Sequence, residues 1–177
     1  MGATNNCKGD GMEWTLAHPL HDIEDIMELT ARNYSNEAEI FAKKDHDVFR
    51  HIITVTLTNQ LFDRNKEFVS ICRDNGKLLG YCWFDRGGYT TYSRDEISNA
   101  KYHHVDLDLS ARLRVRLINE MIDQHLLWAG SCGIPVVCSS SIRADYETFM
   151  RIHKKRGFTV MGSYAWVRTE EGLKWVK

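Results

Sequence analysis

Apolar positions along this chain change period several times, and each change predicts a new element. Residues 12–18, MEWTLAH, alternate well enough for a first strand. From Pro19 the period lengthens, and Ile23, Ile26, Met27, Ala31 and Tyr34 share one helical face. Pro19 and Asp22 mark the start of that helix, and acidic residues crowd its first turns, where the dipole favours them. Residues 45–63 contain the β-branched run IITVTLT, which suits a strand. Over the longer window Val48, Phe49, Ile52, Ile53, Leu57 and Leu61 fit one stripe, and length decides for helix. EFVSICRDNGKLLGYCWFD, residues 67–85, reads as two strands joined at Asn75-Gly76, a pair suited to positive φ.

A polar run, RGGYTTYSRDEISNA, then predicts a long loop holding Tyr89 and Tyr92. KYHHVDLDL, residues 101–109, is the next strand. It leads into a long helix with Leu117, Ile118, Met121, Ile122 and Ala129 inward. IPVVCSSS is a short buried strand, IRADYETFMRIHKKRG a helix and FTVMGSYAWVRTEEGLKWVK a closing hairpin. The strand–helix–strand stretch at 102–140 predicts a right-handed crossover between parallel neighbours, whereas the earlier meander is antiparallel. The expected fold class is therefore α/β, of the α+β kind: a central mixed sheet flanked by helices on both faces. Residues 1–11 are expected to be a mobile tail and 12–177 a single domain.

Composition narrows the function. Lys plus Arg (23) nearly balances Asp plus Glu (24), so no global field draws in nucleic acid or an anionic membrane. Five scattered cysteines without a CxxC pair favour reduced thiols and a cytoplasmic setting. No stretch approaches the length of a membrane span, and the N-terminal residues lack the apolar run of a secretion signal. Eight histidines invite a metal, but no HExxH or CxxC spacing supports one, and none is expected.

Three clusters carry candidate chemistry. His153 lies on the apolar stripe of its helix with Tyr146, Phe149 and Met150, and a polar ring there needs a partner or a role. Alternation puts His104, Asp106 and Asp108 on one face of their strand. That row either opens onto a cleft, where His104 or Asp106 accepts a proton, or simply faces solvent. Arg112, Arg114 and Arg116 bring three positive charges to one helix start, to grip an anion or to solvate the helix.

Two local features carry a family resemblance, which extends over residues 12–170. HKKRGFTV resembles the YEKLGF ending of the helix before the penultimate strand in the GNAT superfamily, the GCN5-related N-acetyltransferases. VDLDLSARLRVRLINEMI resembles the strand, phosphate loop and helix by which that family holds coenzyme A. The arginine-rich, glycine-poor form also looks like acetyltransferase-like proteins carried by some tailed phages.

The resemblance implies transfer of an acetyl group from acetyl-CoA to a primary amine of a small molecule or protein. The cofactor would sit where parallel strands splay, at 103–109 and 135–140. Leu107, Leu109, Ser110 and Ser139 would line that gap. Arg112, Leu113, Arg114, Val115, Arg116 and Leu117 would form the phosphate loop and helix start. In the family that loop carries glycines that let backbone N–H groups approach the pyrophosphate. Here one register puts Val115 and Leu117 in the glycine slots, the other Leu117 and Asn119.

Four residues before the final glycine the family has a tyrosine that protonates the departing thiolate. Here that position is His153, with Tyr146 as substitute donor. His153 is thus either a general acid or a buried histidine bonded to a backbone carbonyl. The acceptor would lie between the first two helices, the loop 85–101 and the closing hairpin, with Tyr89 and Tyr92 at its opening. The alternative is a GNAT-shaped binding or virion-associated protein that has lost acetyl-CoA use. Assembly into a homodimer is left open.

Overall fold

Nine elements form among the described residues: β1 (Met12–Leu16), α1 (Ile23–Tyr34), α2 (His46–Phe62), β2 (Glu67–Asp74), β3 (Lys77–Gly88), β4 (Ile97–Val105), α3 (Ala111–Ser131), β5 (Val136–Ser139) and α4 (Tyr146–Lys155). The computed structural model describes residues 11–34, 45–141 and 146–161, so residues 1–10 of the expected tail (1–11) and 162–177 of the expected closing hairpin (158–177) lie outside it, and residues 158–161, the described start of that hairpin, are not strand.

The sheet follows chain order, β1 to β5, with antiparallel pairs up to β4 and a parallel β4–β5 pair. Asn75 (φ 48°) and Gly76 (φ 82°) form the β2–β3 turn as their chemistry predicts. Two cores sandwich the sheet. On one face α1 and α2 cover Ile26, Leu29, Ile53, Leu57, Tyr81 and Trp83. On the other α3 packs Leu117, Met121 and Ile122 against Cys82, Phe84 and Val105, joined by Phe149 and Ile152 of α4. This is the expected mixed sheet with helices on both faces.

The structure corrects three expectations. First, the strand expected at 101–109 is β4, four residues earlier. The polar residues at its start, read as loop, all find partners. Glu96 takes a bidentate contact from Arg86 (2.7 and 2.6 Å), and Ser98 Oγ donates to the Asp85 carbonyl (2.8 Å). The loop therefore shrinks to residues 89–96.

Second, α1 buries Ile26 and Met27 as expected, but its inward stripe continues through Leu29, Thr30 and Asn33, while Ala31 is exposed. Asn33 Nδ2 donates to the Val105 carbonyl (3.0 Å), docking α1 on the end of β4. Third, Val48, Ile52 and Leu61 of α2 face solvent, whereas Thr56 and Gln60 are buried. Gln60 earns its place by hydrogen bonding: its amide donates to the Ala17 and Val69 carbonyls and accepts from Val69 N–H.

Candidate active site

The β4–β5 ladder pairs Ile97–Ala100 with Val136–Ser139 and stops there, while β4 runs on to Val105 alongside β3. The two strands therefore part at Ala100 and Ser139, earlier in β4 than the expected 103–109. Where β4 ends, Asp106 turns the chain. Its N–H continues the ladder to the Leu79 carbonyl (2.8 Å), and its carboxylate accepts from Asp108 N–H (3.0 Å). This local turn removes Asp106 and Asp108 from the strand and corrects the row expected with His104.

Asp106 is buried and pairs with Lys77 (2.8 Å), with Arg32 at 3.9 Å. Burial pushes its carboxyl pKa up, but Lys77, the Asp108 N–H and Arg32 outweigh that and hold it below the ordinary value.

Ser110 then caps α3, its Oγ accepting from Leu113 N–H (3.3 Å). The helix begins at Ala111, so Val115 and Leu117 belong to its second turn. Both glycine-slot registers considered from sequence fall past the loop, which is Asp106–Ser110. Leu117 is in the core, Val115 is 42% exposed, and Leu109 and Leu113 pack at the core's margin. Leu107 is half-buried.

The three arginines diverge. Arg116 pairs with Glu120 (2.9 Å), which also accepts from Trp14 Nε1 (2.8 Å). Arg112 is exposed. Arg114 is half-buried, and its Nε has no hydrogen-bond partner among the described residues, like the Oγ of Ser139 at the end of β5.

On the α3–α4 side three histidines share the core. His125 lies face to face with Phe84 (4.0 Å, 5°), and its Nε2 lies 2.7 Å from Ser98 Oγ. His103 stands 6.4 Å from His125 and 5.9 Å from His153, centroid to centroid. Burial, reinforced by the neighbouring imidazoles, holds the pKa of His103 well below the ordinary value and that of His125 down to about 4.

Burial lowers His153 too, against a small rise from the Phe149 carbonyl, 3.1 Å from its Nδ1. Gly157 (φ 87°) closes α4 in a Schellman turn, with Phe158 N–H bonded to the His153 carbonyl and the two rings edge to face at 5.0 Å. His153 therefore has the carbonyl-bonded geometry, and its Nε2, like that of His103, is buried without a partner among the described residues. Tyr146, in the first turn, is 49% exposed.

The α1–α2 side of β4 carries Tyr102 and His104. Tyr102 stacks on Trp83 (5.6 Å) and meets Phe49 and His104 edge-on (5.8 and 5.0 Å). Lys101, at the bulge in β4, reaches Glu67 (2.9 Å) and Asp85 (3.2 Å) and lies over Trp83 (4.7 Å). Beside it a cleft of about 510 Å³ is lined by Ile52 and Val55 of α2 and its C-cap Asp63, with Glu67 and Asp85 of the sheet. Sequence reading missed Tyr102, Trp83 and Lys101; aromatic density on β3 and β4 was the available signal. Tyr89 and Tyr92 extend into solvent. Among the described residues no cluster of His, Cys, Asp or Glu is placed to hold a metal, and no helix is long and apolar enough to cross a membrane.

No protein-family description matches the sequence, and no curated protein does. Solved structures do match. The predicted acetyltransferase of Clostridium acetobutylicum, solved with acetyl-CoA, is 15% identical at TM-score 0.63, covering 90% of this chain and 97% of its own. Glucosamine-6-phosphate N-acetyltransferase from Arabidopsis thaliana is 9% identical at TM-score 0.61, covering 89% and 98%. Ribosomal-protein-alanine N-acetyltransferase from Brucella melitensis is 14% identical at TM-score 0.58, covering 89% and 99%. At these identities the likeness is one of architecture, and this chain has the GNAT acetyltransferase fold.

Proposed function

We propose that this protein transfers the acetyl group of acetyl-CoA to a primary amine of a small molecule or protein. The parting of β4 and β5 at Ala100 and Ser139, beside the capped start of α3, carries this reading. The donors there suit a thioester nucleotide. The edge of β4 beyond its ladder with β5 offers peptide groups to the pantetheine arm, and the first turn of α3, beginning with small Ala111, presents N–H groups to the pyrophosphate. Arg112 and Arg114 supply charge in place of the missing glycines, and the unpartnered Ser139 Oγ and Arg114 Nε gain partners.

The acceptor approaches from the α1–α2 side, along the cleft beside Lys101. Its neutral nitrogen bonds to the acetyl carbon as the carbon–sulfur bond breaks. The nitrogen gives a proton to His104, through water given that ring's burial. The sulfur leaves as thiolate and takes a proton from solvent. Asp106, fixed in its ion pair, is the weaker candidate base.

Thermal shift tests the first half: acetyl-CoA at saturating concentration raises the melting temperature if it binds the native state. Thiol release with a panel of amines tests the second. The committed proton of His153 and the absence of glycine from Asp106–Ser110 favour one other reading, a GNAT-shaped binding protein. No shift with millimolar acetyl-CoA would select it.

A further inference from the structure

A chain of hydrogen bonds crosses from α1 to β4 beneath the acceptor face. Thr30 Oγ1 lies 2.6 Å from the Ile26 carbonyl one turn back and 2.7 Å from the Tyr81 hydroxyl. That hydroxyl in turn lies 3.3 Å from Nδ1 of His104. Thr30, Tyr81 and His104 are all buried.

The chain's direction follows from counting protons. A carbonyl only accepts, so the single hydroxyl proton of Thr30 is on the Ile26 oxygen. Thr30 must then accept from Tyr81, which uses the one phenolic proton. Tyr81 has no proton left for His104, so the imidazole donates, from Nδ1. In the neutral ring, one nitrogen donating leaves the other with the lone pair.

We propose that Thr30 and Tyr81 set the tautomer of His104, holding its proton on Nδ1 and its lone pair on Nε2. The backbone carbonyl at Ile26 anchors the polarity, because it is the one group in the chain that cannot reverse. An imidazole in water favours the opposite tautomer, with the proton on Nε2, so the arrangement is imposed by the fold. Resting on the acetyl-transfer reading, the consequence is that His104 presents a proton acceptor at Nε2 and takes the acceptor amine's proton there. Thr30 and Tyr81 are positioning residues that act through it.

Long-range proton–nitrogen NMR of the full-length, nitrogen-15-labelled protein, at alkaline pH, reads the tautomer directly. His104→Gln assigns the signals. The expected wild-type pattern is a protonated Nδ1 and a bare Nε2. Thr30→Val removes the acceptor for Tyr81, so the phenol turns to donate to Nδ1 and the proton moves to Nε2. Thr30→Ser keeps the hydroxyl and restores the wild-type pattern. Tyr81→Phe, a second route should Thr30→Val fold poorly, leaves Nδ1 without its acceptor and also shifts the proton to Nε2. A protonated Nε2 in the wild type, or an unchanged pattern in folded Thr30→Val and Tyr81→Phe, overturns the relay.

For catalysis, Thr30→Val is expected to lower kcat about tenfold or more at unchanged KM for acetyl-CoA, within the range general bases contribute, and Thr30→Ser to recover it. A tautomer swap with kcat within twofold overturns the role of His104 as base. If the wild type transfers no acetyl group, the NMR result still decides the tautomer, so the two claims fail separately.

Discussion

His153 and Phe149 are joined one helical turn apart, the imidazole Nδ1 at 3.1 Å from the backbone carbonyl. Because burial holds this imidazole's pKa below the ordinary value, it is neutral at neutral pH, and its one proton is on the nitrogen facing Phe149. A group in that state is poorly placed to protonate a thiolate. His153→Phe loses one hydrogen bond but also the unpartnered Nε2, so the expected stability change is within about 1 kcal/mol. Acetyl transfer by the variant should stay within a few-fold of wild type in a steady-state thiol-release assay. A hundredfold fall would reinstate His153 as the acid.

Arg114 gives opposite signs in two measurements. Its Nε is buried without a partner among the described residues, so the free protein carries a desolvation cost there. Arg114→Met should leave the melting temperature unchanged or raise it. The same change should weaken acetyl-CoA by about tenfold or more in calorimetric titration, the scale of a hydrogen bond to a charged group. An unaltered dissociation constant would remove Arg114 from the phosphate site.

Local signals carried far in the sequence. Asn75-Gly76 and Gly157 sit in the turn and helix cap their chemistry predicts, and the two readings of His153 included the geometry it adopts. What failed depended on partners distant in the chain. Ser98 looks like loop until the Asp85 carbonyl and His125, 13 and 27 residues away, are beside it. Gln60 looks like an outward helix residue until Ala17, just after β1, and Val69 of β2 bring carbonyls to it. The Thr30–Tyr81–His104 chain spans separations of 51 and 23 residues and leaves no local pattern. The end of β4 was hidden for a different reason: alternation through VDLDL mimics a strand that the Asp106 side chain in fact ends.

Acid should unfold this protein through its histidines. The pKa of His125 is about 4 in the folded state against an ordinary value of 6.5, and those of His103 and His153 are lowered as well. With folded values below unfolded ones, the unfolded state binds more protons. Stability is then fully present above about pH 6.5 and is lost as pH falls through the window down to about 4. Between pH 7.5 and 5, His125 alone accounts for a drop of about 2 kcal/mol. Urea unfolding at those two pH values measures it, and His125→Gln should shrink the difference. Equal stability at both would mean the histidines are solvated.

Two glycines should respond to alanine with opposite signs. At Gly80, where β3 faces Val105 of β4, an added Cβ would lie 2.6 Å from the His104 carbonyl oxygen and 3.0 Å from Met121 Cε. Met121 is a flexible side chain that can give way, but the carbonyl cannot move without drawing β4 off β3. Gly80→Ala is therefore expected to cost about 1–3 kcal/mol, the usual range for overpacking, and to lower the melting temperature by roughly 2–4 °C per kcal/mol. Shrinking Met121 to alanine in the same chain should not restore it, because the clash is with backbone. Gly130, inside α3, has nothing within 4 Å of an added Cβ, and Gly130→Ala should stabilise by about 0.5–1 kcal/mol through helix propensity. Differential scanning calorimetry of the two variants reads both signs. A neutral Gly80→Ala would show that the strands at His104 are looser than their packing implies, and with them the ring whose tautomer depends on that register.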